Sequence, residues 1–305
     1  MAAEEAGIDG AYFRVHHFAE QQASPFPLLP AIAARTSRIE IGTGVIDMRY
    51  ENPLYMAEEA AAVDLISAGR LQLGVSRGSP ESVVAGYEAF GHLPAEGESA
   101  ADMARRHTAL FRSAISGAVI AAADPQASGP HRTCPGPAAV PFAPRANLLG
   151  CRQSCQRPVG RARGHEPHVF DLADRGYRVP FDQLQAEQIA GYREAWAAAG
   201  HRRTARVSVS RSIVPLIDDD SRRYFGLRAQ AEARDQVGYI DGGLARFGRR
   251  YIGEPERLVE ELSRDAAVAA ADTLLVTVPN QLGVDFNVRL LGSISRDLRP
   301  ALGWD

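Results

Sequence analysis

The chain has 305 residues, 45% of them hydrophobic, which supports one large core in place of two small ones. Its formal net charge of -3 argues against a nucleic-acid or anionic-membrane surface, because binding either needs clustered cations. No apolar run reaches a spanning length and no signal peptide opens the sequence, so a cytoplasmic protein with no membrane partner is expected.

In chain order, residues 2–7 read as the end of a helix stopping at Gly7, and Ala11 to Val15 as a short strand. Then come a proline-started helix from Pro25 to Arg35, a strand from Arg38 to Ile46, a helix from Pro53 to Ser67 and a strand from Leu71 to Ser76. This βαβαβ alternation with short loops predicts parallel strands joined by right-handed crossovers. A helix follows over Ala101 to Ser116. From Ala118 to Arg178 periodicity disappears, prolines accumulate, and all three cysteines (Cys134, Cys151, Cys155) occur without a zinc or redox pattern. Order resumes with a helix from Asp182 to Ala199, a strand from Arg206 to Ile217, a helical stretch from Ser221 to Asp235, a helix from Pro255 to Arg264, a strand from Thr273 to Val278 and a last helix from Val284.

Three strand ends carry the chemistry: Arg14 to Phe18 (RVHHF), Gly42 to Val45 (GTGV) and Val75 to Pro80 (VSRGSP). In a parallel α/β barrel these ends assemble the active site. His16 and His17 point to opposite sides of an extended chain, so at most one of the two faces the barrel mouth while the other braces it, as a catalytic or flavin-facing group or as a hydrogen-bonded structural one. Gly42 and Gly44 around Thr43 let a flat ligand approach the backbone, or mark a β-bulge. Asn52 before Pro53 is a helix cap or a ligand contact. Arg77, followed by Gly78, Ser79 and Pro80, joins a permanent cation to exposed amides, an arrangement suited to a phosphate.

From His16 to Gly91 these motifs, with ARTSRIEIGTGVI, ENP, DLISAGRLQLGVSRG and Phe90–Gly91, resemble the bacterial-luciferase-like flavin monooxygenase family, as does TLLVTVPNQLGVDFN near the end. The resemblance implies a (β/α)8 TIM barrel over residues 1–305. It also implies an enzyme that uses reduced FMN, supplied by a separate flavin reductase, and O2 to oxygenate a small organic substrate; a homodimer is compatible with it. His16 matches the family's acid/base histidine, Arg77 the arginine holding the FMN phosphate, Ser76 the position beside the flavin ring, and Thr43 and Gly44 the strand end lining the ring face. Serine at 76 departs from luciferase itself, so light emission is not implied. A deazaflavin-dependent hydride-transfer enzyme and a non-catalytic remnant of the family are the alternatives.

A closed barrel needs eight strands, and five are counted. The strand before residue 2 is expected to be absent, and strands five and six should fall in Ala118 to Arg178. The family's glycine turn is not visible there. Back-translated and shifted by one base, Leu149 to His165 permits WGAGNRANARWAARGGM, and Glu166 to Arg178 permits NLMSSTLLTEDTG after its first letter. All 34 basic residues are Arg, the mark of a GC-rich coding sequence. Residues 119–178 are therefore expected to be an irregular segment, read out of frame, with a genuine Pro-rich insertion as the alternative.

Overall fold

The computed structural model describes residues 1–20, 22–78, 83–121, 134–135, 179–200, 204–231, 233–240, 243–279 and 282–304. They divide into two units: Ile8–Gly150 with Met1, and Cys151–Asp305 with Ala2–Gly7. The opening helix α1 (Ala2–Glu5) thus belongs to the second unit.

The first unit is built on three parallel strands in the order β1 (Gly10–Phe13), β2 (Glu40–Asp47) and β3 (Leu71–Ser76). A Cβ on Gly42 would overlap the Gln72 carbonyl, so the closest approach of β2 to β3 is possible only with glycine there. Between Thr43 and Ile46 the pairing register shifts, and the Gly44–Val45 peptide is cis. This matches the bulge reading of the glycine pair. Helix α2 (Leu28–Ala33) and helix α3 (Pro53–Ile66) connect the strands. Asn52 caps α3, accepting from the Leu54 and Tyr55 amides at 3.0 and 3.2 Å, with Pro53 in the first turn where no amide is needed. The buried side of α3 is Met56, Ala57, Ala60, Ala61 and Val63; its alanines permit close packing. Arg70 donates to the Ala33, Thr36, Ile39 and Ser67 carbonyls at 2.8–3.0 Å and ties these connections together before β3 begins. Helix α4 (Ala100–Ile115) starts at a Ser99/Asp102 capping box and buries Met103, Ala104, His107 and Phe111. A short strand, β4 (Val119–Ala121), pairs antiparallel with β5 (Cys134–Pro135).

In the second unit, helix α5 (Phe181–Ala198) precedes β6 (Ser208–Arg211) and β7 (Ile213–Pro215). The single strand expected over 206–217 is interrupted at Ser212. The helical stretch expected over 221–235 is two short helices, α6 (Asp219–Phe225) and α7 (Arg228–Ala231), followed by an antiparallel hairpin of β8 (Gln236–Ile240) and β9 (Gly243–Phe247) that periodicity did not reveal. Next come β10 (Tyr251–Gly253), α8 (Pro255–Ser263), α9 (Ala266–Ala270), β11 (Thr273–Val276) and α10 (Gly283–Ser293). Strand β10 pairs parallel with β7, and β11 parallel with β6, so among the described residues this half holds four parallel-paired strands where the sequence count gives two. Its core gathers Ile213, Val214, Tyr251, Ile252, Leu258, Leu262, Leu290 and Leu298. Among them lies a closed polar network. Arg211 holds Asp265 through two bonds of 2.7 and 2.9 Å, Tyr251 donates to the same carboxylate at 2.5 Å, and Asp265 caps α9.

The α/β class and parallel pairing agree with the sequence expectation. The expected positions of strands five and six lie largely outside the described residues. Among the described residues no helix is long and apolar enough to cross a membrane.

Candidate functional site

Parallel strands end on the same side of a sheet, so the residues following β1, β2 and β3 are neighbours. After β1, Val15 is buried and the two histidines part company. The His16 amide donates to the Gln22 carbonyl at 3.1 Å, and its Nε2 lies 3.3 Å from Arg14 Nη2. His17 stacks on Tyr50, with centroids 4.4 Å apart, and meets the edge of Phe90 at 4.9 Å. Burial lowers the His17 pKa, opposed by the nearby Asp47 carboxylate, so the ring favours its neutral form.

Beyond β2, Asp47 and Arg49 form a closely held ion pair. Arg49 Nη2 donates to Asp47 Oδ2 at 2.6 Å, and its Nε reaches both carboxylate oxygens at 3.1 Å. The guanidinium also lies 5.6 Å from the centre of the Tyr87 ring. Glu51 is pushed up to about 7, first by burial and then by the Glu59 and Asp47 charges. His107, buried, places Nδ1 2.9 Å from the Met48 carbonyl and lies edge-on to His92 at 5.4 Å. Burial and then His107 hold His92 below the usual histidine range, against its backbone bond to Tyr50.

At the end of β3, Ser76 Oγ donates to the Ile46 carbonyl at 3.3 Å. Arg77 is partly exposed, and among the described residues its guanidinium has neither a hydrogen-bond nor an ion-pair partner. Gly78 adopts φ +143°, a conformation that favours glycine, and a Cβ there would stand 3.1 Å from the Arg49 guanidinium. An uncommitted cation beside a backbone bare of side chain fits a phosphate group.

The structure therefore brings His16, Gly44, Asn52, Ser76, Arg77 and Gly78 to one set of strand ends, while Ser79 lies outside the described residues. Three of the expected contacts are already engaged within the protein. The Thr43 hydroxyl, buried, donates to the Gly74 carbonyl at 2.9 Å and accepts from the Gly74 amide at 3.2 Å. Asn52 Oδ1 caps α3, and Ser76 bonds across to β2. Sequence reasoning missed Asp47, Arg49 and Tyr50. Their signal was the charged, aromatic run DMRYE following a β-branched strand.

The family described as luciferase-like monooxygenase has a model that matches residues 1–273. The chain is 32% identical over 94 residues to the oxygenase component of flavin-dependent trigonelline monooxygenase from Acinetobacter baylyi, a stretch covering 29% of this chain and 26% of that protein. It is 37% identical over 96 residues to F420-dependent glucose-6-phosphate dehydrogenase from Amycolatopsis mediterranei, covering 29% of each. The matched stretches thus span only between a quarter and a third of those relatives' length. The solved oxygenating constituent of 3,6-diketocamphane monooxygenase from Pseudomonas putida, in complex with FMN, aligns with a TM-score of 0.62 over 99% of this chain and 90% of its own, at 15% identity. That likeness shows the fold: the α/β architecture of luciferase-like monooxygenases, among whose relatives both FMN-bound and F420-dependent enzymes occur. With the match running from residue 1 to residue 273 of 305, the chain belongs to the luciferase-like monooxygenase family.

Proposed function

We propose that this protein is a flavin-dependent monooxygenase that binds reduced FMN at the strand ends and oxygenates a small organic substrate with O2. The observation that carries the reading is the Arg77 guanidinium, which lacks a partner among the described residues and stands beside Gly78 at φ +143°. Arg77 would hold the FMN phosphate, because a fixed cation with fanned N–H donors matches its oxygens. Gly78 would let the backbone amide come within reach of the same group. Gly44 would leave the ring face of the site clear and Thr43 would shape it through its backbone; Ser79, outside the described residues, is proposed as a further phosphate contact on its sequence position alone. His16 would be the acid/base group; its Nε2 accepts from Arg14 Nη2 at 3.3 Å, which leaves Nδ1 to carry the ring proton. Bound reduced FMN would supply the electrons that activate O2. Since the trigonelline relative is named as an oxygenase component, a separate flavin reductase is proposed as the source of reduced flavin.

The similarity to an F420-dependent dehydrogenase supports a second reading, in which the same cation holds a deazaflavin phosphate and hydride transfer replaces oxygenation. Titration of the purified chain with FMN and with F420, followed by quenching of cofactor fluorescence, separates the two. Preferential binding of FMN supports the monooxygenase, and preferential binding of F420 overturns it.

A further inference from the structure

Five rings from three separate segments meet at the carboxyl ends of β1 and β2: His17 and Phe18, Tyr50, and Tyr87 and Phe90 of the 3-10 helix Gly86–Phe90. Tyr50 is their centre, 4.4 Å from His17, 5.3 Å from Phe90 and 6.3 Å from Tyr87. Phe18 and Phe90 meet edge to face at 5.9 Å, yet they remain 50% and 49% exposed. Two half-exposed rings side by side are a surface ready to take a further ring.

The packing of the cluster holds two residues in unfavourable backbone conformations. Phe18 has φ 54° and Ala85 φ 49°, left-handed conformations in residues that carry a Cβ, one at each side of the cluster. Gly86 gives up its side chain to it: a Cβ there would stand 2.5 Å from the Tyr50 hydroxyl and 2.8 Å from the Phe18 ring. One charged pair beside the rings is closed on itself. Arg49 and Asp47 neutralise each other, and the Arg49 cation 5.6 Å from the Tyr87 ring disfavours a second cation. Arg77 is assigned to the cofactor phosphate, and Arg14 lies 3.3 Å from His16 Nε2.

We infer that the substrate of this site is a planar aromatic molecule, packed against Phe18 and Phe90. The inference rests on the flavin reading given above. A flat ring gains edge-to-face and offset contacts that a saturated ring of equal size does not.

The test is equilibrium dialysis of the 305-residue chain with 2-naphthol and with decahydro-2-naphthol, which share a carbon skeleton and a hydroxyl and differ in flatness. The expected result is about threefold to tenfold tighter binding of 2-naphthol, from one or two favourable ring pairs. Phe18→Leu and Phe90→Leu keep apolar bulk at half-exposed positions, and each should cut the 2-naphthol preference about twofold to tenfold while leaving decahydro-2-naphthol unchanged. Equal affinities for the two probes, with FMN still bound in a parallel titration, would overturn the substrate class and leave the flavin reading standing. A chain that fails to bind FMN overturns the flavin reading and, with it, the assignment of these rings to its substrate.

Discussion

The adjacent histidines meet different partners in the loop after β1. His17 is absorbed into the aromatic cluster, whereas His16 reaches Arg14 and stays among the strand-end residues. If His16 is the acid/base group, His16→Ala should lower turnover about 10²- to 10⁴-fold and change FMN affinity far less. Steady-state rates with chemically reduced FMN, set beside a flavin titration, check this; equal loss in both would make His16 structural. Glu51 supplies a pH dependence. Its carboxyl is held near 7 in the folded protein against an ordinary value of 4.5, so ionisation is disfavoured in the folded state. Stability is then fullest below about 4.5 and falls as pH rises through about 7, by about 1–3 kcal/mol. Urea unfolding at pH 5 and pH 8 should show that decline, and Glu51→Gln should remove it. The position of Arg77 and Gly78 directly after β3 was legible in the sequence. The hydrogen bonds of Thr43 were not, since they depend on the register shift between β2 and β3.

The elements themselves were legible where pattern and caps agree. Helix α3 was readable from Asn-Pro at its start and alanine-rich spacing, and β3 from its β-branched and leucine run after a glycine stop. Strand β10 escaped because three residues carry no period, and the β8–β9 hairpin because its sequence reads equally as loop. The chemistry that holds the elements is testable. Gly42→Ala drives a Cβ into the Gln72 carbonyl and should destabilise the protein by about 1–3 kcal/mol or more, seen as a lower urea midpoint. Asp265→Ala leaves the Arg211 guanidinium, 2% exposed, without its counter-charge and strips the cap from α9; a loss of about 3–5 kcal/mol is expected. Tyr251→Phe removes a single hydrogen bond to the same carboxylate and should cost about 1 kcal/mol. If all three substitutions left the midpoint unchanged, the packing described for both units would be wrong.

On the scale of the whole chain, the fold class and family were legible because short motifs recur at strand ends in a fixed order. The count of strands was not, since residues 122–133 and 136–178 lie outside the described structure. We propose that 119–178 is read out of frame, which would leave the barrel incomplete there; sequencing the gene across codons 115–180 should show the compensating base changes, and an uninterrupted frame would dismiss the idea. The central claim is that the strand ends of β1 to β3 form a flavin site anchored through its phosphate by Arg77. The most direct test is a paired titration of FMN and riboflavin into the unaltered chain and into Arg77→Ala, because the two flavins differ only in the phosphate. A charge-assisted contact of about 1.5–3 kcal/mol predicts that the substitution weakens FMN binding roughly tenfold to hundredfold and leaves riboflavin nearly unchanged. Equal losses for both flavins, or equal affinity for both in the unaltered chain, would contradict it.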